Sequence, residues 1–367
     1  MALFCRELPI FDFAPSLRTP AVALGTWPTP VTTASALKSA TSSLADLYVK
    51  RDDLSSAIYG GNKVRCLEFL FGEALEAGAT HIEATGAFGT NHGVATALHA
   101  PRVGLRAGTT IYPQPASPTA ASNLKVLASH SEAFVAPHWS ALPFAAAARH
   151  ASLWLRGESV YWMVPGGATP RGALAYISAG IELALQVEAG DLPCPSEIFV
   201  GAGSTCTAAG LLCGLVLATR RGLLKRTPTL VAVRVTPWPI TSKRRIVDLA
   251  FRAALELTAR SDEDWRCSRE ELSAHLVVDG AHLGPGYGRA TEEGRRALAL
   301  FRDHEGIELD TTYSAKVAAS FLERAMSTTK PLLFWSTKST APLPSCMDPR
   351  LSRSASRWLS EAESQQE

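Results

Sequence analysis

Lys50-Arg51-Asp52-Asp53 and, after a six-residue spacer, Gly60-Gly61-Asn62-Lys63-Val64-Arg65 form the stretch from which the fold of this 367-residue chain is read. A strand ending in charge runs into a loop, and two glycines let the backbone approach another segment closely before a helix opens at Lys63. By itself G-G-x-K also fits a capped surface helix with a solvated lysine. It does not fit a Walker phosphate loop, because Asn62 rather than glycine precedes the lysine and Val64 rather than Ser or Thr follows it. The chemical reading is that a lysine whose surroundings favour the neutral amine condenses with an aldehyde.

Outward from this stretch, short β-branched or aromatic runs alternate with helix-length amphipathic segments. The alternation predicts an α/β fold with parallel sheets. Strands are expected at 47–50, 81–85, 109–112, 160–164, 197–200, 230–235, 275–278 and 332–335, with room for a crossover helix between most neighbours. The breaks Gly60-Gly61 and Pro165-Gly166-Gly167 bracket a block with its own alternation. It reads as a small lobe (66–171) inserted into a large one (1–65 plus 172–367). The polar tail 348–367 reads as a peripheral helix or a partly disordered end.

The net charge of +2 is spread along the chain and gives no reason to expect nucleic acid or an anionic membrane as partner. Arg6, Glu7 and Asp12 interrupt the segment where a signal peptide would be apolar. No stretch of roughly 18 uncharged apolar residues follows, and the helix-like segment 206–219 is too short to span a bilayer. Seven cysteines, an odd number without a C-x-x-C pair, argue against a disulfide framework or structural zinc. A soluble protein of a reducing compartment, the cytoplasm, is expected.

Three further segments carry chemistry. Gly201-Ala202-Gly203-Ser204-Thr205-Cys206-Thr207 lies between a predicted strand and a long helix, where free backbone N–H groups, hydroxyls and the positive helix end suit one phosphate. It fails as a dinucleotide fingerprint, since Cys206 takes the place of the third glycine. Gly86-Ala87-Phe88-Gly89-Thr90-Asn91-His92 offers hydroxyl, amide and imidazole groups beside unpaired donors, or else a plain N-cap at Thr90. Asp310-Thr311-Thr312-Tyr313-Ser314-Ala315-Lys316 sets a tyrosine at a loop-to-helix junction.

Taken in this order, the segments resemble the D-cysteine desulfhydrase and 1-aminocyclopropane-1-carboxylate deaminase family of fold-type II pyridoxal phosphate enzymes. The family's K-R-D-D, G-G-N-K-x-R and L-E-F are met at 50–53, 60–65 and 67–69. Its S-N-H corresponds to Thr90-Asn91-His92, and its P-x-G-G and G-A-x-x-Y to Pro165, Gly166-Gly167, Gly172-Ala173 and Tyr176. Its G-Y-G is Gly286-Tyr287-Gly288, and its D-P-x-Y-x-G-K is 310–316.

The resemblance implies a two-lobed, three-layer αβα fold like that of the tryptophan synthase beta chain, a homodimer, and pyridoxal 5'-phosphate as cofactor. It implies that Lys63 holds the cofactor as a Schiff base and later moves the substrate proton. Asn91 would bond the phenolic oxygen, and Gly203, Ser204, Thr205, Cys206 and Thr207 would hold the phosphate. Thr90, Asn91 and His92 would receive the substrate, whose carboxylate would meet Thr90 and His92. Tyr287 and Tyr313 would face the reacting carbon, and Thr337 would bond the pyridine nitrogen, a neutral contact that suits elimination.

The chain departs from the family pattern in five places. Thr205-Cys206 stands where a glycine pair is common, Cys66 for a basic residue, Lys338-Ser339 for two glycines, Ser314 for the acid of the deaminase branch, and Thr90 for a serine. The expected reaction is therefore β-elimination from a small D-configured or achiral amino acid, giving a keto acid, ammonia and a thiol or sulfide. Ring-opening deamination, β-replacement, racemisation and a cofactor-binding relative without catalysis are the alternatives.

Overall fold

The computed structural model describes residues 5–346 and 351–364. Ten strands among them are β1 (Val31–Thr33), β2 (Leu47–Lys50), β3 (His81–Ala87), β4 (Arg106–Tyr112), β5 (Glu132–Val135), β6 (Val160–Trp162), β7 (Glu197–Ala202), β8 (Thr229–Arg234), β9 (Leu276–Asp279) and β10 (Leu332–Trp335). They form a six-stranded sheet in the order β1-β2-β10-β7-β8-β9 and a four-stranded sheet in the order β5-β4-β3-β6. All pairings are parallel except β1 with β2.

The central strands β10, β7 and β8 of the large sheet are apolar at most positions, as burial on both faces requires. Alternation then divides them between two cores. Leu333 and Trp335, Ile198 and Val200, and Leu230 and Ala232 face the helices Asn62–Glu76, Pro170–Ala189, Cys206–Arg220 and Lys243–Ala259. Leu332 and Phe334, Phe199, and Val231 and Val233 face Ser35–Thr41, Glu292–Glu305 and Ser314–Ala325. The result is the expected αβα layering. Each such side chain contributes about 1.5–3 kcal/mol when fully buried.

The carboxyl ends of β2, β10, β7 and β8 lie along one edge of the large sheet, and ligands of open parallel sheets gather at that edge. The connections after β2, β7 and β10 lead to Lys63 in the first turn of its helix, to residues 203–207 at the start of the Cys206–Arg220 helix, and to Thr337. The connection after β3 ends at Thr90, which caps the helix that opens with Asn91 and His92.

The expected strands are present, with shifted ends. β3 runs two residues beyond the expected 85, so Gly86 and Ala87 are strand rather than loop. β6 stops at Trp162 instead of 164, and the Lys63 helix opens one residue earlier, at Asn62. β1 and β5 were not anticipated. In the tail, residues 348–350 and 365–367 lie outside the described residues, and Arg353–Ser364 is a helix. It is docked, since Trp358 stacks edge-on with Phe88 at 5.2 Å and its indole N–H donates to the Gln114 carbonyl at 2.7 Å.

Candidate active site

The charge run at 50–53 is buried. Arg65 donates to both oxygens of Asp52 at 2.7 and 2.9 Å and to both oxygens of Glu182 at 2.9 Å. Lys50 Nζ donates to Glu182 at 2.5 Å, to the Thr29 carbonyl at 2.6 Å and to Gln186 at 2.6 Å. Tyr176 and Trp335 each donate to Asp52 at 2.8 Å. Two cations and two anions cancel, and their hydrogen-bonding capacity is met inside the protein, the conditions under which buried charge is tolerated. Burial works to raise the Asp52 and Glu182 carboxyls, and the Arg65 guanidinium and Lys50 ammonium more than offset it, holding both below the usual carboxylate range. The network ties β2 to the helix that carries Lys63.

A clasp fixes the start of that helix. The Asn62 N–H donates to the Thr337 carbonyl at 3.1 Å and the Gly60 N–H to Ser339 Oγ at 2.9 Å. Gly61 has φ +87°, and a side-chain carbon there would lie 2.5 Å from the Thr337 oxygen, so only glycine fits. The Lys63 amine points toward the turn Pro165–Gly167, where a carbon built on Gly166 would sit 3.6 Å from Nζ.

At the far end of the cavity, β7 runs into the Cys206–Arg220 helix. The first-turn amides of a helix have no intrahelical acceptor and carry positive partial charge. Asn62 Nδ2 donates to Thr207 Oγ1 at 3.0 Å, which leaves the Thr207 hydroxyl hydrogen free to donate. Thr205 has φ +75°, a left-handed conformation that costs a branched residue about 1–2 kcal/mol and explains why glycine suits this position. Cys206 Sγ turns away, toward the Gly167 carbonyl at 3.2 Å, so Cys206 faces the loop with its backbone only.

Thr90 caps the Asn91–His99 helix, its Oγ1 accepting from the Gly93 N–H at 3.3 Å. The orientation of the Asn91 amide is fixed, because its Oδ1 accepts from Tyr59 at 2.9 Å and from Asn123 Nδ2 at 2.8 Å. The Asn91 NH₂ is thereby left to donate into the cavity. His92 is buried with no partner at either ring nitrogen. Burial, with the Lys63 ammonium nearby, pushes it down to about 3, so it is neutral at pH 7.

Tyr287 and Tyr313 share a hydrogen bond of 2.6 Å between their hydroxyls. Burial pushes Tyr287 up to about 12 and Tyr313 well above its usual value, so both are neutral phenols. Asp310 accepts from the N–H groups of Thr312, Tyr313 and Ser314 at 2.9, 2.7 and 3.2 Å and from the Ser314 hydroxyl at 2.8 Å, which fixes the turn presenting Tyr313. Lys316 Nζ donates to the carbonyls of Leu283 and Gly286 at 2.7 and 2.9 Å and tethers the Tyr287 loop.

One cavity of about 730 Å³ brings together Lys63, Thr90, Asn91, His92, Gly203, Ser204, Thr205, Thr207, Tyr287, Tyr313 and Thr337, while Cys206 lies behind its wall. Lys338 also lines it, and Trp139 and Trp238, 64% and 72% exposed, stand at its mouth. Sequence reasoning assigned no role to Tyr59, Asn123, Glu182 or the two tryptophans. The partners of Tyr59, Asn123 and Glu182 in the site are more than thirty residues distant, so no local pattern marks them.

The donor set fits pyridoxal phosphate: helix-end amides and hydroxyls for a phosphate, an oriented amide for a phenolic oxygen, a lysine for the aldehyde, and a volume suited to a cofactor with a small substrate. A family model described as pyridoxal-phosphate dependent enzyme matches residues 22–331. The chain belongs to the pyridoxal-phosphate-dependent enzymes.

Within them this enzyme falls in the D-cysteine desulfhydrase and deaminase group. It is 35% identical over 300 residues to the nocardicin C-9' epimerase of Nocardia uniformis subsp. tsuyamanensis, covering 80% of this chain and 86% of the relative. It is 29% identical over 291 residues to the D-cysteine desulfhydrase of Salmonella paratyphi B, covering 76% and 80%. A crystal structure of a homologue of 1-aminocyclopropane-1-carboxylate deaminase superposes with a TM-score of 0.72 at 27% identity, covering 91% of the enzyme and 95% of the homologue. The processed threonine deaminase isoform 2 of Solanum lycopersicum, with a TM-score of 0.56 at 13% identity over 98% and 86%, shares the fold.

Proposed function

We propose that the enzyme eliminates a β-substituent from a small amino acid of the D-cysteine type, with Lys63 as the base. The observation that carries this reading is the pairing, in one cavity, of the Lys63 amine with two neutral, hydrogen-bonded phenols. When bound, the cofactor supplies an aldehyde for amines and a ring that accepts electrons. The helix-end amides and the hydroxyls of Ser204, Thr205 and Thr207 hold its phosphate, and the Asn91 NH₂ its phenolic oxygen. Thr90 and the neutral His92 receive the substrate carboxylate. Lys63 removes the α-proton, and the free hydroxyl hydrogen of the Tyr287–Tyr313 pair passes to the departing thiolate. Proton transfers of this kind contribute about 10²–10⁴-fold each. Water hydrolyses the enamine left by elimination, so the products are a keto acid, ammonia and a thiol or sulfide.

Ser314 supports elimination over ring opening, since its hydroxyl is engaged by Asp310 and offers no carboxylate to the cavity. A second reading, epimerisation, is favoured by the cavity's mouth, whose exposed Trp139 and Trp238 leave room for a substrate larger than cysteine, and by the epimerase among the relatives. Lys63 would remove the same proton, and a phenol of the tyrosine pair would return one to the other face. The two readings separate on incubation with D-cysteine and with a D-amino acid bearing an aromatic side chain in deuterated water. Keto acid and sulfide from the first mean elimination. Deuterium at the α-carbon with loss of optical rotation in the second means epimerisation. Lys63→Ala should abolish both and remove a borohydride-trappable visible band, and retained turnover refutes the base assignment.

Seven free thiols fit a reducing location, and we place the enzyme in the cytoplasm as a homodimer with lobes 66–171 and 1–65 plus 172–367. No helix among the described residues is long and apolar enough to cross a membrane.

A further inference from the structure

Lys338 stands where a glycine is usual in the resembled family, and it is held in place. Its neighbours form the clasp, with the Thr337 carbonyl accepting from the Asn62 N–H at 3.1 Å and Ser339 Oγ from the Gly60 N–H at 2.9 Å. Its side chain is part-buried and lines the cavity. The ammonium lies 3.5 Å from the Tyr59 hydroxyl and 5.2 Å from that ring's centre. Tyr59 spends its hydroxyl hydrogen on Asn91 Oδ1, at 2.9 Å. Among the described residues, a weak contact and a ring face are the polar partners of this cation.

Among the described residues no carboxylate reaches the Lys338 ammonium. Asp310 is the acid whose field it feels, and the Asp310 carboxylate is already held by three backbone N–H groups and the Ser314 hydroxyl. Burial pushes the ammonium down from its usual value, as expected of a cation taken from water without a counter-ion. An uncompensated charge of this kind destabilises the ligand-free protein, and it persists where a ligand neutralises it.

We propose that Lys338 supplies the cation for an anionic oxygen of a ligand bound beside Asn91, namely the cofactor's phenolic oxygen or the substrate's carboxylate. This rests on reading the cavity as the cofactor and amino-acid site. The shared chemistry is a charge-assisted hydrogen bond from an ammonium whose backbone is held by the clasp, and Tyr59 contacts both the Lys338 ammonium and the Asn91 amide. A Lys338→Met replacement keeps the bulk of the side chain and removes the charge.

The test uses full-length protein, wild type, Lys338→Met and Lys338→Arg. Pyridoxal phosphate affinity is read from quenching of tryptophan fluorescence in the cofactor-free protein. In the loaded protein, binding of D-alanine and of ethylamine is read from the change in visible absorbance. A charge-assisted contact predicts a loss of about 10- to 100-fold in Lys338→Met, with most of the affinity kept in Lys338→Arg. If the cofactor's oxygen is the partner, the loss is in cofactor affinity. If the carboxylate is the partner, D-alanine binding falls and ethylamine binding stays unchanged. The ligand-free Lys338→Met protein should melt no lower than the wild type. Affinities all within twofold of wild type overturn the proposal, as does a lower melting temperature with unchanged affinities, the mark of a structural lysine. Because cofactor affinity is read without turnover, failure of Lys63 as the base would leave that arm standing.

Discussion

Replacing Arg65 with methionine probes the buried network that carries the catalytic helix. Arg65 makes five hydrogen bonds, four to the Asp52 and Glu182 carboxylates and one to Thr29 Oγ1 at 3.2 Å. Without it the cluster changes from two cations against two anions to Lys50 alone against two carboxylates, all of them buried. Breaking a buried pair in this way costs about 3–5 kcal/mol, a large fraction of the roughly 5–15 kcal/mol that holds a domain together. The wild-type carboxyls lie below their unfolded values, so their contribution is present above the unfolded pKa and is lost as pH falls through the folded one. In Arg65→Met the sign reverses, because an uncompensated buried carboxyl rises above its unfolded value and folding gains as protons bind. Urea unfolding of both proteins between pH 8 and pH 4.5 should therefore show the largest gap at neutral pH and a shrinking gap toward acid. Lys38→Met, which removes an exposed ion pair with Asp46, is the control and should cost under about 1 kcal/mol. An Arg65→Met cost as small as the control's, with no pH dependence, would refute the reasoning.

Burial pushes the Glu68 carboxyl up to about 7, against the N–H groups of Trp27, Leu24 and Gly25 that favour its charge. Folding stability should then fall by about 3 kcal/mol as pH rises from 4.5 through 7, and Glu68→Gln should lack that fall in urea titrations. Asn123→Ala removes one of the two donors that orient Asn91; cofactor affinity should drop about tenfold while the far-ultraviolet dichroism stays unchanged. Lys316→Met frees the Tyr287 loop, and kcat should fall at least tenfold with little change in cofactor affinity, as steady-state rates and fluorescence titration will show.

Parallel strands buried on both faces announce themselves as continuous apolar runs, which is why β7, β8 and β10 were legible from residues alone. β1 is a three-residue antiparallel edge, Val31–Thr33, and β5 an edge strand whose residues are only half-buried, so neither carries a core-like run. Lys50 and Asp52 look like a solvated charge cluster in the sequence. Their partners Arg65 and Glu182 lie up to 132 positions away, and only folding reveals that the charges cancel. The glycines and the lysine of 60–63 were readable as a close approach before a helix. That Thr337 is what approaches, and that Tyr59 and Asn123 set the Asn91 amide, depends on contacts between distant segments.

β10 enters the large sheet between β2 and β7, so during synthesis the two halves of that sheet have no common strand until residues 332–335 have left the ribosome. β10, the last strand among the described residues, is the keystone, and the clasp closes only after it. A nascent chain therefore carries Lys63 for more than 270 residues without a finished pocket, since 337 − 63 = 274. At about 5–20 residues per second that is a wait of roughly 14–55 seconds, during which an aldehyde cofactor meets an open lysine rather than an enzyme. Chain ends cut before residue 332 should leave the four-stranded sheet able to form and the active site unbuilt.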